Sequence, residues 1–482
     1  MTISAVEDLR RRLEGVAAIT DTGLEVVDEG AVRGEIADEL AFAAVFGSDE
    51  LRDAARWVVW SASQALGCAS ASIHDLYRAR GRGDVPPTAF TVPAINVRAS
   101  TYLTARQAFA AARERDAGAL VFEIAKSEMA YTDQRPGEYT AVILAAALRE
   151  GWRWPVFLQG DHFQFNATKW RTDPDAEIEG LRDLTREAVG AGFLNIDIDS
   201  STLVDLSQPT VAEQQRVNAH NTAELTRLVR SLQPEGVVIS VGGEIGEVGK
   251  ANSTEEELRA YLDGYLAECG SIEPISKVSV QTGTSHGGVP LPDGSMAQVS
   301  IDFATLARLS TVARDEYGMA GCVQHGASTL PDDAFHHFPA NGTAEIHLAT
   351  GFQNILYDGG GLPEELKAEM MAWCVENLAD ERKDGETDEQ FLYKTRKKAI
   401  GPFKRQLWTL PASSAEEIGA NLRAKLGLLF DELGIAGTRA TVDRHVRPTP
   451  VPMSLPAVLG GRARGVAVAA GASVFEDDGS GE

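Results

Sequence analysis

Cysteine is scarce in this chain: Cys68, Cys269, Cys322 and Cys374 are the only four among 482 residues, widely spaced and with no CxxC pair. That scarcity excludes a disulfide framework and points to a reducing, cytoplasmic setting. Cys322 lies within an apolar run and is expected in the core rather than as a nucleophile. Long hydrophobic runs are also missing. No stretch approaches the roughly 20 apolar residues that cross a bilayer, and the opening MTISAVEDLRRRLEGV has no apolar centre of a secretory signal. Positive charge is short, with 45 Lys and Arg against 70 Asp and Glu, a formal charge of -25. Such a field repels nucleic acid and anionic membranes, so neither is expected as a partner. An anionic small molecule would need a local positive site, such as a metal ion. A GxGxxG turn after the first strand is absent too, which argues against a dinucleotide-binding fold.

What is present is an ordinary globular composition, 44% hydrophobic and 24% charged, with eight short apolar runs. These are FTVPAINV (90–97), GALVFEIA (118–125), WPVFLQGD (154–161), FLNIDIDS (193–200), GVVISVGG (236–243), ISKVSVQT (275–282), GCVQHGAS (321–328) and TAEIHLAT (343–350). Helix-like stretches such as TARQAFAAARER and TVAEQQRVNAHNTAELTRLVRSL separate most of them. Short Val- and Ile-rich runs alternating with helices indicate βα units and a parallel sheet. Eight units within residues 86–360 predict a (β/α)8 TIM barrel. Residues 1–85 read as a helical N-terminal extension and 361–440 as a C-terminal helical region. From 441 to 482 Pro, Gly and Arg accumulate before the ending EDDGSGE, so a poorly ordered tail is expected.

Catalytic groups of such barrels gather where the strands end, and the unusual polar residues fall there. Asp161-His162 closes the third run, Asp197 and Asp199 belong to the fourth, Glu244 follows the fifth, His286 the sixth, and His325 lies in the seventh. Three of nine histidines thus share one face. Three imidazoles with an open fourth position form a catalytic rather than a structural zinc arrangement. Glycines accompany two of them, in Thr284-Ser285-His286-Gly287-Gly288 and His325-Gly326-Ala327-Ser328. Such loops let backbone N–H groups approach an anion, for example a phosphate.

Over residues 88–355 these motifs resemble those of the class II, metal-dependent ketose-bisphosphate aldolases. The resemblance rests on VPAINV (92–97), Asp161-His162 in LQGDHFQFN, GFLNIDIDSS, the EIGEVGK segment from Glu244, GTSHG (283–287), Asp302-Phe303 and HGAS (325–328). It implies a reversible carbon–carbon lyase acting on a phosphorylated sugar, fructose-bisphosphate type, with one catalytic Zn2+ held by His162, His286 and His325. Glu244 and Asp199 then stand as alternative or supporting metal carboxylates, and Asp161 as the acid/base. Asn96, Gly287, Gly326, Ser328 and Thr350 are expected to contact substrate, and family habit implies a homo-oligomer.

Four departures from the family pattern stand out. Asn252 replaces its proton-shuttling Glu, with Glu247, Glu255 and Glu256 nearby; Ala125 stands for a Ser; His347 and Ala349 alter an AsnxAspThr segment; and Lys250 replaces a Gly. Arg98, Lys126 and Lys250 are candidates for a different anion site, although each alone reads as a solvated surface charge. Two further readings follow from these changes. One is a non-catalytic aldolase-like partner subunit; the other is a zinc-barrel lyase or epimerase acting on a different substrate.

Overall fold

Eight strands form as the apolar runs predict: β1 (Val92–Asn96), β2 (Val121–Ala125), β3 (Val156–Gln164), β4 (Asn195–Asp199), β5 (Ser240–Glu244), β6 (Lys277–Val280), β7 (Cys322–Gln324) and β8 (Glu345–Leu348). Almost every residue in them is buried, as in parallel strands covered on both faces. In this computed structural model, which describes residues 3–20, 23–246, 251–283 and 300–460, each strand pairs in parallel with the next. β8 returns to β1 through His347 opposite Ala94, and the circle closes into a (β/α)8 barrel.

One pairing is irregular. Gln159 and Gly160 of β3 face Asn195 and Ile196 of β4, but the next pairs are Phe163 with Ile198 and Gln164 with Asp199. One extra residue is therefore accommodated at Asp161-His162, a β-bulge. His162 takes φ = +40° there, in the left-handed region that non-glycine residues seldom occupy.

The extensions close and brace the barrel. Helix His74–Gly81 buries Tyr77 and Arg80. The Arg80 guanidinium donates to the carbonyls of Phe90, Pro87 and Thr343, just ahead of β1 and β8, so this helix floors the end opposite the strand C-termini. Helix Ala412–Glu432 packs on Thr101–Glu114.

Residues 441–460, expected to be loose, have a defined place instead. Arg439–His445 completes a helix. Beyond it, the Trp57 and Trp60 indoles donate to the carbonyls of Met453 (3.2 Å) and Val451 (2.8 Å), and the Val451 N–H donates to Gln64. Pro and Gly signalled the lack of regular structure; Val446 and Leu459, both buried, supply the apolar surface that fixes the segment. A groove of about 870 Å³ lies between this segment and Arg56, Arg135 and Glu187, and none of the strand-end residues lines it. No helix among the described residues is long and apolar enough to cross a membrane.

Candidate metal centre

The bulge in β3 aims two consecutive polar side chains into the barrel mouth. His162 Nδ1 lies 3.1 Å from Asp199 Oδ2 and 3.6 Å from Glu244 Oε2. His325, immediately after β7, brings Nδ1 to 3.8 Å from the same Glu244 oxygen, and its ring centroid is 4.3 Å from that of His162. Asp199 is fixed from its other side, where Oδ1 accepts the Ser201 N–H (3.0 Å) and hydroxyl (2.7 Å), while Gln164 donates to Oδ2. Asp161, His162, Asp199, Glu244 and His325 are all almost fully buried. Five of the expected site residues thus converge.

The electrostatics of this cluster ask for a cation. Burial raises the Glu244 carboxyl well above the usual range, and the neighbouring Asp199 charge adds to it. Burial opposes ionisation of Asp161 as well, but the His162 and His347 rings outweigh it and hold the carboxyl down to about 2. Donor atoms of His162, Glu244 and His325 all lie within 4.8 Å of one another. Two imidazoles and a carboxylate make a donor set suited to zinc or a similar divalent ion. The residues present fit such an ion.

The other expected positions are placed less tightly. His286 and Gly287 lie outside the described residues, as do Glu247 and Lys250. Asn96 ends β1 but donates at 2.5 Å to Glu128 Oε2, which also accepts the Ala125 N–H. Gly326 has φ = +67°, a backbone conformation that explains glycine there. Ser328 Oγ accepts the Ala349 N–H at 2.7 Å, next to buried Thr350 at the start of helix Thr350–Asp358. Arg98 and Lys126 are not solvated surface charges. Both are buried, Arg98 against Glu128 at 2.8 Å and Lys126 donating to the Gln164 carbonyl at 2.6 Å. Asn252 donates to Asp302 at 3.3 Å, and Glu255 pairs with Arg259 at 3.1 Å.

Beneath the centre lies a layer that the motif reading did not assign. Lys277 Nζ contacts Asp197 Oδ2 (2.8 Å), Gln159 Oε1 (2.8 Å) and Glu345 Oε1; Tyr77 donates to Glu345 Oε2; and Gln159 donates to Glu123 (2.9 Å). His347 connects this layer to the mouth, standing 2.9 Å from His325 and 3.1 Å from Asp161. A signal for it existed. Polar residues recur at every second position in LQGD, NIDID and EIHL, the period of a strand face.

Residues 86–404 match the family described as Fructose-bisphosphate aldolase class-II. A comparison with curated proteins finds no match. Among solved structures, the chain is similar to a putative fructose-1,6-biphosphate aldolase from Coccidioides immitis, at 16% identity and TM-score 0.45, with 76% of this chain and 96% of that one covered. The fructose-bisphosphate aldolase of Campylobacter jejuni gives 18% identity, TM-score 0.43 and coverage of 76% and 94%. Fructuronate-tagaturonate epimerase UxaE from Cohnella laeviribosi gives 11% identity and TM-score 0.54, with 88% and 90% covered.

Proposed function

The chain belongs to the fructose-bisphosphate aldolase class-II family, and on that premise we propose that it is a metal-dependent carbon–carbon lyase. It would cleave a phosphorylated ketose of fructose-bisphosphate type reversibly to dihydroxyacetone phosphate and an aldehyde. The observation that carries this reading is the buried convergence of His162, Glu244 and His325 beside Asp161. Those three residues, with His286, would hold the ion, and Asp199 would orient His162 through its 3.1 Å contact. When bound, a divalent ion polarises a substrate carbonyl and favours negative charge on its oxygen.

The remaining work falls to the chain's own residues. Asp161, ionised at neutral pH, is suited to take the proton of a substrate hydroxyl during cleavage and return it during condensation. The backbone around Gly326, the Ser328 hydroxyl and the start of the Thr350–Asp358 helix would bind the phosphate, since the first N–H groups of a helix favour anions.

Asn252 favours a second reading, an epimerase or lyase acting on a different substrate. Its amide cannot serve as a base, and it donates to Asp302. The test is a panel of phosphorylated and unphosphorylated ketoses incubated with zinc-loaded protein. Release of dihydroxyacetone phosphate supports the first reading. Conversion only of unphosphorylated substrates supports the second.

A further inference from the structure

The helix Thr350–Asp358 has only 9 residues, and its direction decides where its first N–H groups point. Its N-cap residue, Ala349, has no side-chain acceptor to cover them. The start of the helix packs closely on the loop after β7. Ser328 Oγ accepts the Ala349 N–H at 2.7 Å, and a side-chain carbon at Gly351 would stand 2.9 Å from the Ser328 carbonyl oxygen. The other end is gripped by a distant part of the chain. Arg396, 7% exposed, opens the turn Arg396–Ala399 after helix Asp388–Thr395. Its guanidinium pairs with both Asp358 oxygens, at 2.8 and 2.6 Å, and donates to Asn354 Oδ1 at 2.8 Å. The same group lies over the rings of Tyr357 and Tyr393, 4.9 and 4.7 Å from their centroids. Tyr357 donates back to the Arg396 carbonyl at 2.8 Å, and Asn354 donates to the Tyr393 hydroxyl at 3.1 Å. A second rim helix, Lys126–Tyr131, is touched as well: Lys397 Nζ lies 5.4 Å from the Tyr131 ring centroid, and Gly401 abuts the Tyr131 carbonyl.

We propose that Arg396 is a positioning residue for phosphate binding, holding the Thr350–Asp358 helix so that its N-terminus faces the anion. The C-terminal helical region then serves the substrate site as well as the fold. The inference rests on the reading of Ser328 and Thr350 as the phosphate site. Asn354, Tyr357 and Asp358, all in the last five residues of the helix, take the grip. A planar guanidinium can pair with a carboxylate, donate to a third acceptor and stack on two rings at once, which a lysine cannot reproduce. Its charge also stands at the negative end of the helix dipole. A helix of this length spans about 13 Å, so a tilt at the gripped end carries over to the first N–H groups. Misplacement of about 1 Å at a site of this kind is already costly.

The experiment measures the Kd of inorganic phosphate on the full zinc-loaded chain by calorimetry, with zinc affinity followed in parallel by chelator competition. Ser328→Ala should weaken phosphate binding, which establishes the site. Arg396→Gln should raise the phosphate Kd about 3–30-fold, the usual reach of a residue acting through a shared element, while zinc affinity stays at the parent value. A merely structural role would lower thermal stability and leave that split absent. Arg396→Lys should not restore phosphate binding fully. Combined with Asp358→Asn, Arg396→Gln should add less than the sum of the single effects, because the two residues form one grip. If Arg396→Gln does not fold, Asp358→Asn alone decides, since its side chain is half exposed. A folded Arg396→Gln or Asp358→Asn chain that binds phosphate as the parent does, while Ser328→Ala does not, would overturn this inference alone. Phosphate binding that is absent in the parent or indifferent to Ser328→Ala would overturn the phosphate-site reading and this inference together.

Discussion

His162 Nδ1 reaches Asp199 Oδ2 at 3.1 Å where β3 carries one residue more than β4. The bulge sets consecutive residues to work on one site: Asp161 faces His347 and His162 faces Asp199 and Glu244. The cost is a non-glycine residue at φ = +40°, of the order of 1 kcal/mol. Strain of this kind persists where surrounding contacts over-determine it, and here the Asp199 contact and complete burial do so.

Gly160 is the residue that lets the bulge close. A side-chain carbon there would stand 2.5 Å from the Phe163 ring. Gly160→Ala is therefore expected to destabilise the fold by about 1–3 kcal/mol, as overpacking does, and to weaken zinc binding by shifting His162. Thermal unfolding and chelator competition measure the two effects. Unchanged values for both would remove the bulge from the account.

Asp161 is held ionised beside the centre without being assigned as a ligand. Asp161→Asn should lower kcat by about 10²–10⁴-fold, the range for a lost general acid/base, while zinc content stays at the parent value. Steady-state kinetics with metal analysis on one preparation would test this. Loss of zinc in proportion to activity would recast Asp161 as a ligand.

The fold was legible because all eight strands are short apolar runs bounded by helices, and a buried parallel strand needs no other mark. Asp161, His162, Glu244 and His325 were legible because polar residues at the ends of apolar strands stand out. For Gln159 and Glu345 the alternation of polar residues marked an inward face but no partner, and Glu123 and Lys277 sit inside apolar runs, with partners that come from other strands. Nothing local to Lys277 says that Asp197, eighty residues earlier, will meet it. The order of the 446–460 segment was not legible for a related reason: its composition describes its backbone, whereas its order comes from Trp57 and Trp60.

The buried floor predicts a pH dependence. Burial pushes the Asp197 carboxyl up to about 6, more than the Lys277 ammonium pulls it down. Between about pH 4 and pH 6 the folded chain keeps a proton that the unfolded chain has released. This contribution to stability is complete below about pH 4 and is lost as the pH rises through about 6. Relative to Asp197→Asn, which cannot titrate, the parent should lose roughly 3 kcal/mol between those limits. Denaturant unfolding at a series of pH values measures the difference. A parent that gains on the variant as pH rises would reverse the assignment.

Proton exchange on dihydroxyacetone phosphate tests the central claim most directly, because it needs only the metal centre, a base and the ketone half of the substrate. Zinc-loaded protein in deuterium oxide should incorporate deuterium at C3, as followed by NMR. Exchange should stop on chelation and return with added zinc, and replacing His162 or His325 with Ala should abolish it. A folded, fully zinc-loaded chain that binds dihydroxyacetone phosphate and exchanges no C3 proton would contradict the aldolase reading.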